Sequence, residues 1–114
     1  MCIICDKTYC NNIKCIKIYN CKKITTIPIE MDKLEIIEIT MCDNFSILPS
    51  SIPNLKKLSI HYYNKVNYIP NTYNNISIME FDFHPKNSQA FYLYSNNQIM
   101  IRKYIDFINN FHEV

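Results

Sequence analysis

The sequence predicts an α/β solenoid: a stack of short parallel strands, thin irregular return legs behind them, and a C-terminal helix that closes the stack. Three observations predict it. Residues 13–75 repeat with a step of 21, in blocks opening at Ile13, Leu34 and Leu55, and a fourth block opens at Ile76 and keeps the pattern through Phe81. Self-similarity at a fixed period is the mark of stacked supersecondary units. Three of the five prolines, Pro28, Pro49 and Pro70, fall in one column of that repeat. Near the end, Ile101, Tyr104, Ile105 and Ile108 recur at the spacing of one helical face.

The elements follow in chain order within a single domain of 114 residues. Residues 1–12 form an N-terminal cap, in which Cys2-Ile-Ile-Cys5 reads as a short strand extending the sheet. Repeats occupy 13–33, 34–54 and 55–75. The fourth and sixth positions of each are Ile16 and Ile18, Ile37 and Ile39, Leu58 and Ile60. They alternate with polar or variable neighbours, the period-2 sign of a strand, and are expected to form one continuous core. Strands returning at a fixed interval run parallel, and each crossover needs about a dozen residues. A 21-residue step allows that but leaves no room for long helices. Further apolar columns hold Cys21 and Cys42, then Ile24, Phe45 and Val66, then Ile27, Leu48 and Ile69, then Met31, Ile52 and Tyr73. The residue before each column proline is held to extended backbone, which keeps the return side thin. Residues 76–96 form a degenerate repeat: Pro85 is out of column and Ala90 has no proline after it. Ser95, with Gln98 three residues on, is a capping-box signature. The helix is expected over about 97–112, within a closing segment 97–114.

The strand columns, written Leu34-x-x-Ile37-x-Ile39-x-x-Cys42, resemble the leucine-rich repeat. Two departures stand out. The next apolar residue, Ile24 after Cys21 or Phe45 after Cys42, comes one position later than in the commonest version, and Tyr63 and His84 take the cysteine column in blocks three and four. The resemblance covers residues 13–84. It implies an arc with a parallel sheet on the concave face and a protein partner bound there. The outward strand positions then offer Lys17, Tyr19, Glu38, Thr40, Ser59, His61, Tyr62, Glu80, Asp82 and Phe83 as binding residues. Lys14, Glu35 and Lys56 should line up across neighbouring strands, as should Lys17 and Glu38.

Composition narrows the function classes. Formal charge is +2, from 12 basic and 10 acidic residues, which favours neither a nucleic-acid nor a membrane-surface partner. No stretch approaches the roughly 18 apolar residues of a membrane span, and Asp6 arrives too early for a secretory signal core. An intracellular, cytoplasmic location with reduced thiols is expected. Ile, Asn, Lys and Tyr make up 56 of 114 residues, the usage of an AT-rich genome such as some large DNA viruses and protists have. Without glycine there is no phosphate-cradling loop, dinucleotide fingerprint or nucleophile elbow. His61, His84 and His112 have no partner at a recognisable catalytic or metal-ligand spacing. The expectation is a non-enzymatic interaction module with no cofactor and no metal. One alternative is a small metal-binding regulator using Cys2, Cys5, Cys10 and Cys15, although their spacing is not that of two tight pairs. Another is a remnant repeat protein without a binding role.

Overall fold

Alternation of apolar and polar residues fixes the strands. In β1 (Cys15–Tyr19), Ile16 and Ile18 are buried while Cys15, Lys17 and Tyr19 face out. The same period gives β2 (Ile36–Thr40), β3 (Lys57–His61) and β4 (Ile78–Asp82). The computed structural model of the chain describes residues 4, 12–61, 65–66, 68–70, 72–73, 75–82, 90–94 and 97–110, with backbone alone at 82, 90–94, 98 and 108. Strands β1 to β4 are parallel neighbours in chain order. Their register is the sequence period: Cys15 lies opposite Ile36, Ile36 opposite Lys57, and Lys57 opposite Ile78.

Entry and exit of each strand extend the ladder. Glu35 N–H donates to Lys14 C=O at 2.7 Å, and Lys56 N–H to Glu35 C=O at 2.8 Å. Beyond the strand, the eighth position turns left-handed, with φ of 56° at Asn20 and 55° at Met41. Their N–H groups still pair forward, to Thr40 and His61 C=O. The thiol of buried Cys42 then donates to Thr40 C=O at 3.5 Å, which explains why a small, weakly polar residue suits that column.

Behind the sheet, the return legs pair as well. Thr26 and Ile47 form a parallel bridge, and the Thr26 hydroxyl donates to Ile47 C=O at 2.8 Å. After the column proline the chain turns back. Met31 N–H donates to Pro28 C=O and Tyr73 N–H to Pro70 C=O, and these turns bury Met31 and Tyr73. The six strand residues expected to form the core are all buried, in one cluster that runs from Ile16 to Ile105.

Three features differ from the sequence reading. Ile4 is helical rather than part of a strand, and packs half-buried on the core; its neighbours in 2–5 lie outside the described residues. Residues Ala90–Tyr94 form a fifth strand, β5, antiparallel to β4, with Phe91 opposite Phe81 and Leu93 opposite Met79. Helix α1 runs from Gln98 to Asn109, shorter than 97–112, and Asn97 caps it; Ser95, the expected cap, lies outside the described residues. The Asn97 Oδ1 accepts from Ile99 N–H at 3.0 Å and Met100 N–H at 3.2 Å, while Asn97 C=O accepts the first intrahelical bond, from Ile101. One accepting side chain serves two of the donors that every helix start leaves unpaired. Ile101 and Ile105 enter the core, as their spacing requires.

Candidate interaction surface

The outward side chains of β1 to β4 form rows because the register is constant. In the first row Glu35 sits between Lys14 and Lys56, each ammonium 3.9 Å from the carboxylate. In the second, Glu38 lies 3.3 Å from Lys17 and 3.5 Å from Lys57. Both expected charge rows are therefore present. Lys57 is the addition: it is two residues before Ser59 in β3, so it shares the outward side and reaches Glu38 diagonally. The period-2 pattern contains this contact, but a comparison of equivalent positions alone misses it.

Farther along the sheet the row becomes more enclosed. Ser59 is an outward position by register, yet it is only 3% exposed. Its hydroxyl donates to Glu80 Oε1 at 3.1 Å, and His61 Nε2 lies 3.1 Å from the same oxygen. Ser59 thus positions Glu80 and offers little surface of its own. The third row is Tyr19, Thr40 and His61. Thr40 and His61 are half-buried, whereas Tyr19 is 69% exposed. Tyr62 and Phe83 lie outside the described residues, as does the Asp82 side chain.

The exposed ion pairs contribute at most about 1 kcal/mol each, since solvent screens them and holding long side chains costs entropy. They leave the register to the apolar columns and shape instead what the sheet presents: shielded carboxylates, raised ammonium groups and one projecting phenol. Among the described residues no group of three or more His, Cys, Asp or Glu side chains could hold a metal ion. Cys15 is exposed, and Cys2, Cys5 and Cys10 lie outside the described residues. No described helix is long and apolar enough to cross a membrane. No protein-family model, curated protein or solved structure matches the chain.

Proposed function

We propose that the chain is a short leucine-rich repeat module, without enzymatic activity, that binds a protein partner through the outer face of β1 to β4. The observation that carries this reading is the constant register, which arrays Lys17, Glu38 and Glu80 in one row and Tyr19, Thr40 and His61 in another. Stacked repeats make extended surfaces of this kind. An exposed tyrosine is a residue type enriched at interfaces, and it sits at the end of its row where a partner can cover it. The +2 net charge, spread over both signs, fits a protein better than a polyanion. The exposed thiol of Cys15 fits a reducing, cytoplasmic setting.

The test is affinity capture from host-cell extract with three baits: the native chain, Tyr19→Ala with Lys17→Glu, and Ile29→Ser. Ile29 is an exposed residue on the return leg. The native and Ile29→Ser baits are expected to retain the same protein, and the face variant to lose it. A protein retained equally by all three overturns the assignment of the face.

A further inference from the structure

The two edges of the sheet differ sharply in chemistry. β1 lies at one edge and β5 at the other. An edge strand presents unpaired N–H and C=O groups, a template for another strand, and natural sheets commonly blunt it with lysine or proline. β1 carries Lys17, with Lys14 just before it, and both ammonium groups are well exposed. β5 is Ala-Phe-Tyr-Leu-Tyr, and no charged residue or proline occurs anywhere from Asn87 to Ile101. Short uncharged segments of high strand propensity pair most readily. Among the described residues, no strand pairs with β5 on the side away from β4.

We propose that β5 is the interface with a second copy of this chain, two β5 strands pairing antiparallel about a two-fold axis to join two sheets into one. The occupant follows from the edge itself. An uncharged edge complements another uncharged edge, and a charged strand would lose hydration there without gaining a partner. Antiparallel pairing of identical strands is self-complementary and closes at two copies. Both unguarded edges are then consumed, and the edges left over carry lysines. A pairing centred on Tyr92 places Phe91 opposite Leu93 and Ala90 opposite Tyr94. That preserves the two faces of the sheet, because Phe91 and Leu93 already lie opposite buried Phe81 and Met79 while Tyr92 lies opposite Glu80. This proposal does not depend on the partner proposed for the sheet face.

Sedimentation equilibrium of the full chain over a concentration series tests it, beside the variant Tyr92→Lys. The substitution sets two ammonium groups against each other at the axis, and like charges directly opposite destabilise a strand pair. Within one copy, the new lysine lies opposite Glu80, so the fold should tolerate it. The native chain is expected to reach twice the monomer mass, and the variant to need about two- to fivefold more protein to do so, with an unchanged thermal midpoint in dilute solution. Should the variant not fold, amide exchange of the native chain decides: β5 amides slow with concentration while those of β2 do not. A monomeric mass throughout overturns the proposal. So does a dimer that neither the variant nor β5 exchange registers, or a native chain that stays monomeric and instead accepts a strand from another protein at β5.

Discussion

Tyr73 stands where the first two blocks have Met31 and Ile52, and its hydroxyl donates to the Pro49 carbonyl inside the core. Burial pushes the phenol pKa up. The folded chain therefore holds this proton more tightly than the unfolded chain, whose tyrosines titrate near about 10. Its contribution to stability is full below that pH and is lost as pH rises towards the folded value. Tyr73→Phe should cost about 1–3 kcal/mol, because the carbonyl loses its donor, and should flatten the fall in stability above about pH 10. Urea unfolding midpoints across pH 8–11 read both effects, and a variant with the native alkaline slope would assign that slope elsewhere. Glu38 is the contrasting case, a 27% exposed carboxylate between Lys17 and Lys57. Glu38→Lys should weaken the fold by less than about 1 kcal/mol yet reduce retention of a face-bound partner severalfold. Equal small effects on both would make it a surface charge and nothing more. Met41 shows what a residue-level reading lacks. In a glycine-free chain the left-handed position falls to whatever the repeat supplies, Asn20 in one block and Met41 in the next. Asparagine hints at such a turn, and methionine gives no sign of it.

At the scale of elements, α1 closes the chain's core through both its apolar stripe and its last turn. Asn109 Oδ1 accepts from Ile69 N–H and its Nδ2 donates to Ile69 C=O, both at 2.7 Å. One amide thus pairs both backbone groups of the residue before Pro70, as a neighbouring strand would. Asn109→Ala should cost roughly 1–3 kcal/mol for leaving those partly buried groups without their partner. It should also accelerate exchange of the α1 amides more than those of β2, and uniform acceleration would mean that α1 and the sheet open together. The helix itself was legible, since its apolar spacing is strong. Its start was ambiguous because Ser95, Asn96 and Asn97 are all capping residues. Neither β5 nor its direction was legible. The columns fade after Phe81, so residues 76–96 read only as a degenerate repeat, and a five-residue apolar run carries neither a pairing partner nor a direction.

For the whole molecule, legibility tracks the cost of error. A slip of one residue in β2 would expose Ile37 and Ile39 and bury Glu38, so the apolar columns had to announce the register. The parallel order and the 21-residue offset followed from them. The outer face carries no comparable penalty, and its details depend on neighbours in space. Nothing in Ser59 itself shows that Glu80 and the surrounding rows will cover it. The pairing of block with block also governs how this chain can change length. Each junction among the described residues has an entry bond such as Lys56 to Glu35 and a strand in step, and the first two also set a return leg beside the last. A second copy of residues 34–54, set between Asn54 and Leu55, keeps every apolar column in phase and costs only the new seam, where Glu35 meets Glu35 and Glu38 meets Glu38, whereas one residue lost from the same segment puts every later column out of phase. In the currency of insertions and deletions, the smallest denomination that keeps this protein in phase is a whole block.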